Sequence, residues 1–296
     1  MPETLRNIAF IGLGKMGTPM ASRLISSGYQ VRGFDLAEEA RSQLAEAGGI
    51  PAENPASAVS DADAVILMLP TSAIVESVIL SEEVLNLLPA KTLIIDMSSS
   101  EPLRTVALAE KVSTLGHKFI DAPVSGGVKG AEQGTLTIMV GGAGDDVESA
   151  RPLLGALGRP THIGPTGAGH ALKALNNLLS ATHLWITSEA MLVGEKFGID
   201  PKTMLDAFNS SSGRSGSTEN KWPNFILPET YNSGFGLGLM VKDMGIALTL
   251  ASSLGIPAVL GQEAVALWKK AQSDLPPDAD HTEIAKWLRS HPGSPE

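Results

Sequence analysis

The stretch NIAFIGLGKMG (Asn7–Gly17) decides the fold class of this chain. It begins with a short apolar run suited to a buried parallel strand and continues with the pattern G-x-G-x-x-G. A helical pattern follows and ends at Gly28, and a second strand, Gln30–Phe34, closes on Asp35. Strand, glycine loop, helix, strand and terminal acid in this order are typical of a dinucleotide-binding unit.

The glycines of this unit each have a physical reason. Gly12 allows the tight turn, Gly14 lets the backbone approach a pyrophosphate, and Gly17 lets the helix pack on the strand. The positive end of the helix then faces the phosphates, and the Asp35 carboxylate can accept hydrogen bonds from ribose hydroxyls. An acid in this register disfavours the alternative of a turn that binds nothing. The predicted cofactor-binding residues here are Gly12, Leu13, Gly14, Lys15, Met16, Gly17 and Asp35.

The residues after the second strand bear on the choice of nicotinamide cofactor. Leu36 and Ala37 stand where an enzyme specific for NADP would have arginine or a small polar residue. Because the Asp35 carboxylate repels a 2′-phosphate, we predict NAD. NADP stays an alternative because Arg32 and Arg41 are near in sequence.

Strand and helix patterns then alternate, until helix patterns alone continue. The further predicted strands are Ala64–Leu69, Thr92–Asp96, His117–Asp121, Thr137–Gly141 and Thr161–Ile163. The predicted helices are Ser72–Leu88, Pro102–Leu115, Asp145–Leu157, Pro201–Phe208, Leu237–Leu254, Ala258–Gln272 and Thr282–Leu288. We therefore predict the α/β class: a Rossmann-type, doubly wound, mostly parallel sheet over residues 1–164, followed by an all-helical domain over residues 165–296.

The composition excludes several kinds of protein. A chain of 296 residues with a net charge of −10 is a poor partner for nucleic acid or an anionic membrane. It has no cysteine, so disulfides and thiolate chemistry are excluded. Its six histidines show no ligand spacing with carboxylates, and we expect no metal. We recognise no signal peptide or membrane span, and predict a cytoplasmic location.

A loop of small residues follows the strand that ends at Asp121. Ser125, Gly126 and Gly127 present backbone amides and one hydroxyl, which suit a carboxylate. The alternative is a flexible surface loop. Pro123 and the position directly after a strand favour the anion site.

Lys173 lies in a long apolar stretch that no helix breaker interrupts before Gly194. Asn177 follows four residues later, so the two share one helix face. A lysine placed so is either a rim residue or a buried amine with a lowered pKa. The dinucleotide-binding unit upstream favours the buried amine.

Two further sets of charged residues occur in the helical part. Lys242 and Asp243 interrupt an otherwise apolar helix pattern, and a solvated face is the alternative interpretation for Lys242. Arg214 lies in the irregular stretch Asn209–Ser217, which leads to Trp222. We expect Arg214 either to face a polar or anionic end of the substrate or to lie in solvent.

With these residues in hand, the chain resembles the β-hydroxyacid dehydrogenase family. The resemblance rests on GLGKMGTPMA (Gly12–Ala21), DAPVSGGVKGAEQGTL (Asp121–Leu136), GAGHALKALNN (Gly167–Asn177) and KDMGIA (Lys242–Ala247), which occur in that order over nearly the whole chain. It implies that Lys173 is the catalytic lysine, with Asn177 as its partner, and that the Ser125 loop holds a substrate carboxylate. It also implies that Leu69, Pro70, Ser99 and Lys242 line the cofactor and reaction site, with Lys242 and Asp243 also at the substrate.

The resemblance implies hydride transfer between NAD and the hydroxyl or carbonyl of a small 3-hydroxy acid such as 3-hydroxyisobutyrate. Lys173 would be the general base, and the general acid in the reverse direction. Alternatives are a reductase of a small aldehyde acid (glyoxylate, succinic semialdehyde or a sulfonated analogue), an imine reductase, a decarboxylating sugar-acid phosphate enzyme, and a non-catalytic nucleotide sensor. Lys173 argues against the imine reductase and the sensor. The apolar helical domain suggests a homodimer or homotetramer.

Overall fold

The computed structural model describes residues 5–291. Cα packing divides the chain into two units, Met1–Lys173 (the sheet unit) and Ala174–Glu296 (the helical unit). This division comes later than the boundary between 164 and 165 that the sequence predicts. The start of the long helix Ala168–Phe197 belongs to the sheet unit because it packs against the end of a strand, as described below.

One sheet organises the first unit. Within residues 5–291 it has nine strands: β1 Asn7–Ile11, β2 Gln30–Phe34, β3 Ile50–Pro51, β4 Ala64–Leu67, β5 Leu93–Asp96, β6 Lys118–Asp121, β7 Val124–Ser125, β8 Leu136–Gly141 and β9 Gly158–Gly164. The spatial order is β3-β2-β1-β4-β5-β6-β8-β7, with β9 paired to β8. The β6–β8 and β7–β8 pairs are antiparallel and the others parallel. The predicted mostly parallel, doubly wound sheet is confirmed.

Helices cover both faces of this sheet. They are α1 Gly17–Ser26, α2 Glu38–Glu46, α3 Pro55–Val59, α4 Ser72–Ile79, α5 Glu82–Leu87, α6 Pro102–Thr114, α7 Gly127–Gln133 and α8 Gly144–Leu157. The single helix predicted over Ser72–Leu88 is wrong, because it is divided into α4 and α5. Ser81 divides it: its backbone is extended and its hydroxyl accepts a hydrogen bond from Val84 N–H, which starts a new helix.

Strand β1 shows why the opening run is apolar at almost every position. Ile8 and Phe10 pack into the core on one face of the sheet, whereas Ala9 and Ile11 pack into the core on the other. A strand buried on both faces cannot alternate between polar and apolar residues. The large side chains of Ile8, Phe10 and Ile11 each contribute roughly 1.5–3 kcal/mol through burial, so β1 is fixed at the centre of the unit.

The second unit is helical, as predicted. Its elements are the remainder of α9 Ala168–Phe197, then α10 Pro201–Asn209, a π-helix Ser217–Ile226, α11 Leu237–Ser253, α12 Val259–Asp274, a 3₁₀ turn His281–Glu283 and α13 Ile284–Ser290. The chain's four tryptophans all belong to its core: Trp185, Trp222, Trp268 and Trp287. In the part of the chain that the structure describes, no helix is long and apolar enough to cross a membrane.

The π-helix is a feature that sequence patterns missed. Trp222 is completely buried at its centre, and Leu227 N–H donates to the Trp222 carbonyl at 2.9 Å, five residues back. Pro223 has no N–H to donate to the Thr218 carbonyl, and Asn209 Nδ2 donates there instead, at 3.2 Å. The predicted irregular stretch Asn209–Ser217 is non-helical over Ser210–Ser215, and the missed π-helix begins at its last residue.

Candidate active site

The glycine loop after β1 has the geometry of a phosphate cradle. A Cβ on Gly12 would overlap the Met68 carbonyl oxygen, and one on Gly17 would overlap the Gly12 carbonyl oxygen. Gly14 instead faces open space, with no neighbouring atom within 4 Å of the point where a Cβ would lie. Helix α1 has no side-chain cap and no acid in its first turn. Its first amides and positive end therefore suit the pyrophosphate of a dinucleotide.

Asp35 is held in place by the backbone around it. Its Oδ2 accepts from Leu13 N–H at 2.7 Å, and its Oδ1 accepts from Ala37 N–H at 2.9 Å. Each oxygen keeps acceptor capacity for a ribose hydroxyl. Arg41 donates to the Asp35 backbone carbonyl at 2.6 Å, whereas Arg32 pairs with Asp61 at 3.2 Å. Of the two arginines near in sequence, only Arg41 binds at this strand end.

The loops after β4 and β5 are tied together by serine hydroxyls. Leu69 N–H donates to Ser98 Oγ at 2.9 Å, one residue before Pro70. Ser98 N–H donates to Asp96 Oδ1 at 3.0 Å, and Ser100 Oγ donates to Asp96 Oδ2 at 2.8 Å. Ser98 and Ser100 are buried, whereas Ser99 between them is half-buried. The hydrogen bonds of its neighbours thus fix the Ser99 backbone beside Leu69.

The loop after β7 has the backbone conformation that only glycine adopts readily. Gly126 has φ +132° and Gly127 has φ +64°, and Gly127 faces open space on its Cβ side. Ser125 ends β7, where it pairs with Thr137 of β8. Helix α7 then starts without a side-chain cap. The Ser125 hydroxyl and the following amides can donate to one anion.

Asp121, which the sequence marked only as a strand end, fixes the start of α9. Its carboxylate is fully buried and accepts from Gly167 N–H at 2.7 Å and His170 N–H at 2.8 Å. These are otherwise unpaired amides of a helix start, and the negative charge suits the helix dipole. A Cβ on Gly169 would overlap the Met139 carbonyl oxygen, so the backbone itself packs against β8. A local capping pattern could not reveal this partner, because it lies 46 residues away.

Lys173 follows one turn after this anchored start and is 7% exposed. The buried interpretation of this lysine, rather than the rim interpretation, agrees with that burial. Its role as a general base stays a prediction.

In the helical unit, Asn177 and Asp243 form a buried pair. Asn177 Nδ2 donates to Asp243 Oδ2 at 2.6 Å, and Lys242 Nζ lies 3.3 Å from Asp243 Oδ1. The Asp243 side chain is 2% exposed, whereas the Lys242 side chain is 29% exposed. A buried carboxylate needs such partners. Because a carboxylate only accepts hydrogen bonds, the Asn177 amide nitrogen must point at Asp243, and the Asn177 amide oxygen points away from it.

Arg214 is placed differently from the other predicted residues. Its guanidinium pairs with Glu219 at 2.7 Å and its side chain is 64% exposed. This favours the second of the two interpretations, a solvated arginine. Among residues 5–291 no group of three or more histidines or acids could hold a metal ion.

Comparison with known proteins agrees with this geometry. Residues 7–167 match the NAD-binding domain of 6-phosphogluconate dehydrogenase, and residues 167–288 match the NAD-binding domain of NADP-dependent 3-hydroxyisobutyrate dehydrogenase. A 2-(hydroxymethyl)glutarate dehydrogenase from Eubacterium barkeri is 40% identical over 84% of each chain. An NAD-dependent L-serine dehydrogenase from Pseudomonas aeruginosa is 39% identical over 90% of this chain and 92% of the relative.

A solved structure extends the likeness to the whole backbone. It is a Mycobacterium tuberculosis 3-hydroxyisobutyrate dehydrogenase with L-serine, 34% identical, with a TM-score of 0.90. The alignment covers 96% of this chain and 99% of that one. Fold and sequence therefore point to the same group of enzymes.

Proposed function

Because the chain belongs to the β-hydroxyacid dehydrogenase family and is an NAD(P)-dependent oxidoreductase, we propose that it interconverts a 2-substituted 3-hydroxypropanoate and its semialdehyde. The observation that carries this is the buried Lys173 on a helix whose start is anchored by Asp121. The names of the relatives support the substrate class. 2-(Hydroxymethyl)glutarate, 3-hydroxyisobutyrate and L-serine all have a CH₂OH group next to the carbon that bears a carboxylate.

In this proposal Lys173 accepts the proton of the substrate hydroxyl. As the alcohol is oxidised, its O–H bond breaks and the proton passes to Lys173 Nζ, while the C–O bond becomes a carbonyl. Bound NAD(P)⁺, which the glycine loop and Asp35 would hold, would supply the acceptor for the hydride that leaves carbon. In the reverse direction the protonated Lys173 returns the proton to the carbonyl oxygen. Reduction of a small aldehyde acid is thus the same reaction run backwards.

The Ser125 loop orients the substrate. Its hydroxyl and the amides of Gly126 and Gly127 bind the carboxylate, which fixes the carbon that faces the hydride acceptor. Asn177, four residues further along α9, orients the Lys173 amine. Its amide oxygen accepts an N–H of Nζ, because the single hydrogen of the reacting hydroxyl goes to Lys173. Asp243 holds the Asn177 amide through the 2.6 Å hydrogen bond from Nδ2.

The test is a panel of 3-hydroxy acids assayed with NAD⁺ and with NADP⁺. The panel contains 3-hydroxyisobutyrate, L-serine and 2-(hydroxymethyl)glutarate, with glyoxylate and succinic semialdehyde assayed with NADH. Turnover of at least one hydroxy acid is expected. No turnover of any hydroxy acid, with intact NADH binding, would favour the nucleotide sensor.

An oligomer is also part of the proposal. Helix α9 exposes apolar side chains at the spacing of one helix face: Leu175, Leu179, Ile186, Val193 and Phe197. A second copy of the chain would cover them, as expected for a homodimer or homotetramer. Light scattering after gel filtration measures this. The predicted cytoplasmic location stays a prediction.

A further inference from the structure

The ring of His170 connects three parts of the sheet unit. It is 1% exposed, with Nδ1 2.8 Å from Thr105 Oγ1 and Nε2 3.0 Å from the Ser98 carbonyl oxygen. A carbonyl oxygen only accepts hydrogen bonds, so Nε2 carries a hydrogen and donates it. Thr105 belongs to α6, and Ser98 follows β5. The ring therefore joins α6, the loop after β5 and the first turn of α9.

These partners lie directly beside the predicted cofactor and catalytic residues. Ser98 precedes Ser99, and its hydroxyl accepts from Leu69 N–H at 2.9 Å. His170 itself precedes Lys173 by less than one helical turn. Its backbone N–H is bound to Asp121, so both its main chain and its side chain are fixed.

Charges face the ring from two sides. Asp96 Oδ2 lies 3.8 Å from Nε2, and Asp121 Oδ2 lies 3.9 Å from Nδ1. Both carboxylates are fully or almost fully buried and accept hydrogen bonds from other residues. The ring is thus held in one orientation by bonds that a smaller or apolar side chain could not reproduce.

We propose that His170 is a positioning residue that sets the distance between Lys173 and the loop containing Leu69 and Ser99. In the proposed function that loop lines the cofactor site and Lys173 transfers the proton. A small displacement of Lys173 relative to the loop therefore slows turnover without removing a reacting group. Misplacement by about 1 Å can cost on the order of 100-fold in rate. This inference rests on the proposed function, but its geometry does not depend on the identity of the substrate.

The first experiment compares His170→Gln with the matched change in the other unit, His281→Gln, which alters an equally buried histidine. In His170→Gln we expect kcat to fall about 10- to 100-fold, with KM for NAD⁺ and for the hydroxy acid within about threefold. The primary deuterium isotope effect on kcat should rise, because hydride transfer becomes slower than product release. In His281→Gln we expect kcat within about threefold of wild type.

A gentler pair of variants guards against misfolding. Thr105→Val removes the hydroxyl that holds Nδ1 and keeps the side-chain shape, and Thr105→Ser restores the hydroxyl. We expect Thr105→Val to lower kcat in the same way, though less, and Thr105→Ser to recover it. A lowered Tm with unchanged kcat and isotope effect in both His170→Gln and Thr105→Val would overturn the proposal and leave His170 a purely structural residue.

A chemical readout separates this inference from the proposed function. Reductive methylation followed by mass spectrometry measures how fast Lys173 is labelled, with exposed Lys202 as internal standard. We expect the ratio of the two rates to change at least about threefold in His170→Gln relative to wild type, even if no hydroxy acid is a substrate. An unchanged ratio together with unchanged kcat contradicts the positioning role. Absence of turnover in wild type contradicts only the proposed function.

Discussion

His170 in the sheet unit and His281 in the helical unit are both 1% exposed, and both bind a hydroxyl and a backbone carbonyl. His281 Nδ1 lies 3.1 Å from Ser233 Oγ and 3.0 Å from the Phe235 carbonyl oxygen. Their charged neighbours differ. Two carboxylates face His170, whereas Asp280 and the charge of Lys221 both act on His281.

The difference lies in what the hydrogen bonds connect. The bonds of His170 join elements that carry predicted cofactor and catalytic residues. The bonds of His281 close the loop before α11 against the 3₁₀ turn, where Asp280 also accepts from Ser233 Oγ and Gly234 N–H. The burial of a histidine and the number of its hydrogen bonds therefore do not distinguish a functional from a structural role. The elements that its hydrogen bonds connect do distinguish the two roles. Changes around α9 should alter turnover, and changes around His281 should alter stability.

The largest expected effect is that of Lys173→Ala. A general base contributes on the order of 10²–10⁴-fold, so kcat should fall at least that far, whereas NADH binding measured by fluorescence should stay within about threefold. Lys202→Ala, a change of an exposed lysine in α10, is the control and should be silent. Near-normal kcat in Lys173→Ala would contradict the difference drawn between the two histidines, because the start of α9 beside His170 would then carry no reacting group.

The next effect concerns stability near His281. Burial lowers the pKa of this imidazole to about 4, with the Lys221 charge acting in the same direction and Asp280 against it. The unfolded chain takes up its proton near pH 6.5. Stability is therefore fully present above about pH 6.5 and falls, by up to about 3 kcal/mol, as pH drops toward 4.

Thermal unfolding between pH 4 and 7 measures this, in wild type and in His281→Gln. The slope between pH 4 and 6.5 should be smaller in the variant than in wild type, whatever the Tm of the variant at pH 7. An equal slope in both proteins would show that other groups account for the pH dependence.

A smaller effect is expected in the choice of cofactor. The Asp35 carboxylate repels a 2′-phosphate, so kcat/KM should be at least about tenfold higher with NAD⁺ than with NADP⁺. Arg41, which binds the strand end, is the residue that could oppose this. Comparable kcat/KM values would show that the sheet unit accepts both cofactors, and Arg41→Ala would then restore the preference for NAD⁺.

The smallest effect is expected for Arg214→Ala. An exposed ion pair contributes about 0–1 kcal/mol, and Arg214 is bound to Glu219. Turnover of a methyl-bearing and of a polar 3-hydroxy acid should be unchanged. A selective loss on the polar acid would instead return Arg214 to the substrate site.

Local sequence patterns predicted the features of this molecule that depend on neighbouring residues. They did not predict the features that depend on contacts between residues far apart in the chain. The apolar runs and the glycine loop sufficed for the sheet, for α1 and for the helical character of the second unit. They missed the division at Ser81, which depends on one side-chain cap. They also missed the π-helix around Trp222, in which the Asn209 side chain donates to the Thr218 carbonyl. They also missed Asp121 and His170 as partners of one helix start, since their bonds join residues 46 or more positions apart.

The cap that Asp121 provides has a consequence for how the chain is made. At a synthesis rate of about 5–20 residues per second, Gly167 and His170 emerge about 2–10 seconds after Asp121. During that interval the carboxylate has no helix to cap and gains nothing from leaving water. A nascent chain can thus form its parallel strands early. The Asp121 carboxylate at the end of β6 becomes buried only after the first residues of α9 have been synthesised. The placement of Lys173 is then among the last steps in folding of the sheet unit.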